Sequence, residues 1–323
     1  MRRRTLLAAA GLAVPVSVLL DVESALAEMP APSGSSEPFD VRLARARAVF
    51  DTGRYGELLK ELPDLLATAH VRIRDRAEIS YARLSACYSL TAQVLVKIGR
   101  YEQARLTADR ASLYADLSGS PLASAAAARE LSIVLRHQDQ AATAQRLILN
   151  AVSRLEATGL NTQAQAAAYA QLLCTTSYTA ARAGDRDQAL SMIDEATRAA
   201  RDLPAFAPAG RLFAITPASV RLYQVGIHWA LGDAGAAIRF GQQLRQEQFA
   251  TAERKGRLHT DMARAWWQWG KPEQTAQSLL DAFRVTPAEV QDRPAMRVIV
   301  TELHHKHPRV SGVRELSRAV LAH

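Results

Sequence analysis

The sequence has 323 residues, of which 48% are hydrophobic, and a formal net charge of +8. Its apolar content predicts a folded core and excludes a disordered chain. Glycine (16) and proline (13) make up fewer than one residue in ten, which favours helix. The two cysteines exclude a disulfide scaffold, and no CxxC pair suggests zinc. The positive charge permits an acidic partner but does not by itself indicate nucleic-acid binding.

The first forty residues differ from the rest of the chain. A basic start at Met1–Arg4 precedes an apolar run at Leu6–Leu20 and an A-x-A site at Ala25–Ala27, as in a secretory signal. Arg3-Arg4-Thr5-Leu6-Leu7 also resembles the twin-arginine export motif. The run is short for a membrane span and contains Pro15, so we expect no stable span. The alternative is an internal strip of a longer protein.

We predict two regions from this pattern. Residues 1–40 form the arginine-started apolar strip followed by a Pro/Ser linker. Residues 41–323 form a helical array. Export would cleave the chain after Ala27, whereas the internal-strip interpretation leaves the protein in the cytoplasm.

A glycine-marked turn recurs along the second region, 38 to 48 residues apart. The clearest copy is GRYEQA at Gly99–Ala104, and GDRDQA at Gly184–Ala189 repeats it. The other copies begin at Gly53, Gly232 and Gly270, with a degenerate copy, HQDQAA, at His137–Ala142. A glycine closes one helix because the left-handed conformation costs it little. Five residues later a small or apolar residue (Leu58, Ala104, Ala189, Ala237 or Thr275) allows a second helix to approach closely.

The helix starts fit the same plan. Ser120-Pro121, Thr216-Pro217 and Thr286-Pro287 each provide an N-cap with proline at the first helical position. No strand-like alternation competes. The sequence therefore predicts an all-α fold of about six antiparallel helical hairpins, with C-terminal capping helices near 287–303 and 312–321.

These turns and their spacing resemble tetratricopeptide repeats. The resemblance implies a right-handed superhelical solenoid. The whole chain resembles the sensor half of actinobacterial helix-turn-helix transcriptional regulators of the XRE type, in which an Arg-Arg-x-Leu-Leu-Ala-rich strip joins the array to a DNA-binding head. No such head precedes the repeats here, so we expect no direct DNA binding from this chain.

The resemblance implies a non-enzymatic binding scaffold that serves as the sensing or protein-interaction module of a transcriptional regulatory system. It is also compatible with a homodimer. The alternative is a binding protein of the cell envelope exported by the twin-arginine route.

In tetratricopeptide arrays, residues thirteen, ten, six and two before the turn face the concave groove. That register selects Ser89, Gln93, Lys97, Gln171, Tyr178, Arg182, Arg257, Thr260, Arg264 and Gln268. Four cations without a carboxylate suit an acidic peptide, protein tail or small signal molecule; the alternative is a solvated face without a ligand.

Other chemistry is weakly supported. We find none of the catalytic motifs GxSxG, HExxH, GxxxxGK[ST] and GxGxxG, so we expect no catalytic residue, cofactor or metal. Cys87 and Cys174 lie among apolar neighbours and are expected to be buried and unreactive. His304 and His307 have the spacing of metal ligands, but basic residues at a helix C-terminus explain them better. Trp266, Trp267 and Trp269 are expected to pack between helices, although the register of Trp267 also permits a position in the groove.

Overall fold

The computed structural model describes residues 14–208 and 210–321, and within these ranges every regular element is helical. After α1 (Val16–Ala27), the hairpins are α2 (Phe39–Asp51) with α3 (Tyr55–Arg72), α4 (Glu78–Lys97) with α5 (Tyr101–Leu117), α6 (Pro121–His137) with α7 (Ala141–Glu156), α8 (Gln163–Arg182) with α9 (Arg186–Ala199), α10 (Pro217–Ala230) with α11 (Ala234–Gln242), and α12 (Ala252–Gln268) with α13 (Pro272–Val285). Three helices follow: α14 (Ala288–Gln291), α15 (Pro294–Lys306) and α16 (Val313–Leu321). The predicted all-helical class and its repeat-like arrangement are confirmed.

The turns between paired helices have the predicted backbone. Their glycines adopt φ values from 72° to 84°, in the left-handed region. The residue five positions later is fully buried in every glycine-marked hairpin, at Leu58, Ala104, Ala189, Ala237 and Thr275. The third hairpin corrects one prediction, because its left-handed residue is Asp139 (φ 60°) and its second helix begins at Ala141. The degenerate turn is therefore two residues later than the sequence pattern suggested, and His137 belongs to the preceding helix.

These turns provide a matched pair of substitutions. We expect Gly184→Ala to destabilise the protein by about 1 kcal/mol, because its φ of 83° is unfavourable for a Cβ although no neighbouring atom would touch one. Asp139 already has a side chain at the same turn position, so Asp139→Ala should change stability by less than about 0.5 kcal/mol. Urea unfolding of the two variants measures the difference. Equal losses would contradict this account of the turns.

The predicted boundary near residue 40 does not separate α1 from the array. Leu19, Val22 and Leu26 of α1 are buried, and α1 packs against α3. Pro15 does not interrupt this helix, because it is the N-cap residue before Val16. The basic start and the first apolar residues, 1–13, lie outside the described residues. The described part of the apolar strip is thus packed into the core of the first hairpins.

The first helices of successive hairpins form the inner layer. From α4 to α12, each first helix packs against the first helix of the next hairpin, and the second helices lie outside. The array curves until its two ends meet: α2 contacts α12, and Tyr55 Oη donates a hydrogen bond of 2.6 Å to Glu289 Oε1 in α14. We call this meeting of α2–α4 with α12–α15 the closing contact.

The closing contact also explains an error in the predicted C-terminus. A helix was expected from about residue 287, but Thr286 does not cap one. Its Oγ1 instead donates to the carbonyl oxygen of Ala252 (2.8 Å), and its methyl group lies against Gly53. Thr286-Pro287 precedes only the one-turn α14, and Pro294 begins α15. Across residues 14–208 and 210–321, no helix combines the length and hydropathy needed to cross a bilayer.

Candidate ligand-binding site

The inner helices surround a cavity of about 170 Å³. Helices α4, α6, α8, α10 and α12 all contribute to its wall, and Pro294 and Ala295 of α15 line it at the closing contact. The lining residues that bear charge or an aromatic ring are Phe50, Lys97, Tyr101, Arg129, Glu130, Arg136, His137, Tyr178, Tyr223, Glu253, Arg254, Arg257, Asp261, Arg264 and Arg293. Seven of these are cations and three are carboxylates, so the wall carries surplus positive charge.

One side of the cavity is occupied by ion pairs at the closing contact. Lys97 Nζ contacts Glu253 (2.5 Å) and Glu289 (2.6 Å), and Arg293 donates to the second oxygen of Glu289 (2.7 Å). Arg254 lies 3.2 Å from Glu253. Burial alone would raise the pKa values of both carboxyls, but the neighbouring cations outweigh burial and lower them. Both carboxylates are therefore charged and hold the two ends of the array together.

A second pair lies on α6. Arg129 forms an ion pair with its neighbour Glu130, and the hydroxyl of Tyr223 accepts a hydrogen bond of 2.9 Å from Gln171 Nε2. Arg129 also approaches this hydroxyl, at 3.4 Å. The charges on this part of the wall balance.

The charges around Tyr178 do not balance. Arg257 and Arg264 of α12 share one carboxylate, Asp261, at 2.6 Å and 3.4 Å. Arg136 lies over the Tyr178 ring, with its Cζ 4.9 Å from the centroid, and donates to Thr179 Oγ1 (3.1 Å). Within the described residues, no carboxylate oxygen lies within 4.0 Å of an Arg136 nitrogen. Three guanidinium groups therefore face one carboxylate.

The electrostatics of this group follow from its composition. Burial, with Arg257 and Arg129 nearby, lowers the pKa of Arg136 to about 10, and burial with Arg293 nearby lowers the pKa of Arg264 to about 10. Both stay charged at neutral pH, although the folded state disfavours that charge. Burial would raise the pKa of Tyr178, yet Arg264, Arg257 and Arg136 outweigh it and lower that pKa. At the Tyr178 hydroxyl, the effect of the three positive charges on the pKa therefore exceeds the effect of desolvation.

A stacked pair of rings also lines the cavity. The rings of Tyr101 and His137 are parallel, with centroids 4.4 Å apart. The His137 side chain has an exposed face, but desolvation by the surrounding protein lowers its pKa to about 3, assisted by Arg136, Arg182, Arg293 and Arg264. The imidazole is therefore neutral and adds a flat surface rather than charge.

The structure divides the ten residues predicted to line a groove. Gln93, Lys97, Tyr178, Arg257 and Arg264 lie on the cavity wall. Ser89, Gln171 and Thr260 are buried and do not line it, and Thr260 Oγ1 accepts a hydrogen bond from the lining residue Arg293 (3.2 Å). Arg182 and Gln268 are exposed, and Arg182 lies over Trp229 with its Cζ 5.9 Å from the ring. The wall also includes three carboxylates outside the predicted set, Glu130, Glu253 and Asp261. Ligand binding by the ten remains a prediction.

Sequence reasoning missed the contribution of α6, and the cause is the misplaced third turn. Counted from Asp139, positions ten, six and two earlier are Arg129, Ile133 and His137, and all three line the cavity. Arg136 is adjacent to them. The signal was therefore present in the repeat register, but the missing glycine concealed it.

The other candidate residues lie elsewhere. Cys87 and Cys174 are buried free thiols, as expected, and burial raises the pKa of Cys87 to about 12. His304 Nδ1 is 3.0 Å from Ser317 Oγ, and no group of three potential metal ligands is found among the described residues.

The tryptophans do not extend the cavity. Trp267 faces the C-terminal helices, where Lys306 Nζ lies 5.7 Å from its ring centroid. Trp266 is half-buried and packs against the core that α10, α11 and α12 share. Trp269 is 52% exposed, contrary to the expected packing position.

No protein-family model matches the chain, and no curated protein sequence matches it. Among solved structures, it is similar to BtubC (BKLC) from P. vanneervenii, with 13% sequence identity and a TM-score of 0.45. That match covers 77% of this chain and 91% of the BtubC chain. Similarity at this level supports no argument about function.

Proposed function

We propose that the protein is a non-enzymatic binding module that takes a small acidic ligand into its central cavity. The observation that carries this proposal is the surplus of positive charge on the cavity wall around Tyr178, where three guanidinium groups face one carboxylate. Arg264 is buried, and Arg136 and Arg257 are partly withdrawn from water. A charge withdrawn from water without a partner lowers stability, so such an arrangement is retained more readily where an anion neutralises it. Arginine is suited to this role because its planar donors bind carboxylate or phosphate in pairs.

The size of the cavity favours a small signal molecule over a peptide or protein tail. A cavity of about 150 Å³ accommodates one benzene molecule, and this one is about 170 Å³. It therefore fits a compact ligand or the charged end of a longer one. Tyr101, Tyr178 and His137 provide flat surfaces beside the charged group.

The closing contact supplies a mechanism for sensing. Lys97 lines the cavity and also holds Glu253 and Glu289 at the junction of the two ends. A ligand that binds Lys97 would compete with its contacts to Glu253 and Glu289. Binding would therefore change the relative stability of the closed array and a more open form. In keeping with the resemblance to regulator sensor halves, we propose a right-handed tetratricopeptide-type solenoid in the cytoplasm whose change of curvature acts on another chain. That other chain can be a second copy of this protein, which would make the assembly a homodimer.

The second candidate is an exported envelope binding protein, which the Arg3-Arg4 pair and the Ala25–Ala27 site favour. Export would remove α1, whose buried residues pack against α3. The mass of the mature protein distinguishes the candidates, since cleavage after Ala27 identifies the exported form.

Thermal unfolding with acidic probes tests the binding proposal. Methyl phosphate, succinate and acetate would each be compared with chloride at equal ionic strength. A ligand that binds the native state at a hundredfold its dissociation constant adds about 2.7 kcal/mol. We expect at least one probe to stabilise wild type and Arg154→Gln, a surface control on α7, but not Arg264→Ala. Equal responses in the three proteins, or no response to any probe, would contradict ligand binding in the cavity.

A further inference from the structure

Arg136, Arg257 and Arg264 approach Tyr178 from two helices of the inner layer, α6 and α12, which are separated by α8 and α10. Arg136 comes from the last turn of α6, and the other two lie about two turns apart on α12. A Cβ at Gly226 of α10 would lie 3.3 Å from the Tyr178 ring and 3.8 Å from Asp261 Oδ2, so the phenol and the carboxylate that Arg257 and Arg264 share both lie against this glycine. The three guanidinium groups thus share one section of the cavity wall with the phenol.

The charge on this section sets the charge of its ligand. Its single carboxylate, Asp261, accepts from both Arg257 and Arg264, so two positive charges remain. The other cationic groups of the wall already contact Glu130, Glu253 or Glu289. We propose that the ligand carries a dianionic group, a phosphate monoester or a dicarboxylate, bound among Arg136, Arg257 and Arg264. This inference rests on the proposed function of the cavity.

Arg136 is the most informative residue of the three. It donates to Thr179 and lies over Tyr178, but no carboxylate of the described chain neutralises it. Its lowered pKa agrees with a charge that the unliganded fold disfavours. A residue kept for packing alone would stabilise the free protein, whereas a residue kept for an anion stabilises the complex at the expense of the free protein.

Calorimetric titration of the full chain tests the inference with three probes. Methyl phosphate is largely a dianion at a pH of about 7.5, because the second pKa of a phosphate monoester is about 6. Succinate is the dicarboxylate, and acetate is the monoanion. We expect wild type to bind methyl phosphate or succinate at least about tenfold more tightly than acetate. The comparison of methyl phosphate with succinate shows whether the site prefers a phosphate monoester or a dicarboxylate.

The variants place the dianion in the cavity. Arg136→Met keeps much of the side-chain volume, and we expect at least about tenfold weaker dianion binding with a higher melting temperature of the free protein. Arg154→Met, which removes an exposed cation of α7, should match wild type. Arg136→Lys keeps the charge but not the planar donors, so intermediate affinity is expected. It provides the same test if the methionine variant does not fold.

Two results overturn different parts of the proposal. If acetate binds as tightly as the dianions, or if dianion affinity is unchanged in Arg136→Met and Arg136→Lys, the dianion site is wrong. Loss of binding in Arg264→Ala would then still support the wider cavity function. If none of the three probes binds wild type, both the dianion site and the proposed function are contradicted.

Discussion

Replacing Glu289 by alanine is expected to destabilise the protein by about 3–5 kcal/mol. The side chain is fully buried and bonds Lys97, Arg293 and Tyr55, so truncation leaves two buried cations and a buried hydroxyl without this partner. Because these groups belong to opposite ends of the array, the loss should also weaken the closing contact. Urea unfolding at neutral pH measures the change.

Glu302→Ala is the matched control. Glu302 forms an ion pair with Lys306 on the exposed surface of α15, at 2.9 Å. Exposed pairs contribute at most about 1 kcal/mol, so this variant should remain close to wild type. A loss below about 1 kcal/mol in Glu289→Ala would show that the closing contact does not hold the array together.

Acid unfolding of a second variant of the same residue, Glu289→Gln, tests the sign of the charge effect. The pKa of Glu289 is lowered in the folded state, because Lys97 and Arg293 outweigh the effect of burial. Its contribution is therefore present above the unfolded pKa of about 4.3 and is lost as the pH falls towards the lower folded value. Wild type should lose more stability than Glu289→Gln on acidification below about pH 5. An identical loss in both would contradict a charged Glu289.

Leu19→Ala is expected to cost about 2–5 kcal/mol, the usual range for a buried leucine. Leu19 is only 4% exposed and belongs to the core formed by α1 and the first hairpins. Leu20→Ala in the same helix is the control, because Leu20 is 55% exposed and should change stability by less than about 0.5 kcal/mol. Thermal or urea unfolding compares the two.

The comparison tests whether α1 is part of the folded unit. A large difference between Leu19 and Leu20 supports integration of this helix. Equal small effects would instead favour a leader that the array does not need, in keeping with the export candidate. The sequence alone did not decide this point, because a signal-like apolar run and an amphipathic packing helix share much of their composition.

Local rules predicted the hairpins well. Glycine at a left-handed turn and a small residue five positions later are requirements of backbone and close helix contact, so Gly99 and Ala104 identify a hairpin without tertiary information. The C-terminus was predicted less well. Thr286 has the sequence of an N-cap, but its hydroxyl is used by Ala252 at the closing contact. A long-range contact thus replaced a local preference.

The cavity was predicted only in part, for two physical reasons. Asp139 adopts the left-handed conformation without being glycine, so the third turn was misplaced and Arg129, Arg136 and His137 were missed. The carboxylates were missed because Glu253 and Asp261 occupy other positions of α12 than those counted. Pairing of Glu253 with Lys97 spans 156 residues and depends on how far the array curves.

The most direct test is a crystal structure of the wild-type protein with selenate, a tetrahedral dianion whose selenium gives an anomalous signal. We expect an anomalous peak in the cavity beside Tyr178, with selenate oxygens about 2.7–2.9 Å from guanidinium nitrogens of Arg136, Arg257 or Arg264. The peak should be absent from Arg136→Met crystals grown in the same solution. Selenate bound only at the surface, with none in the cavity, would contradict the account.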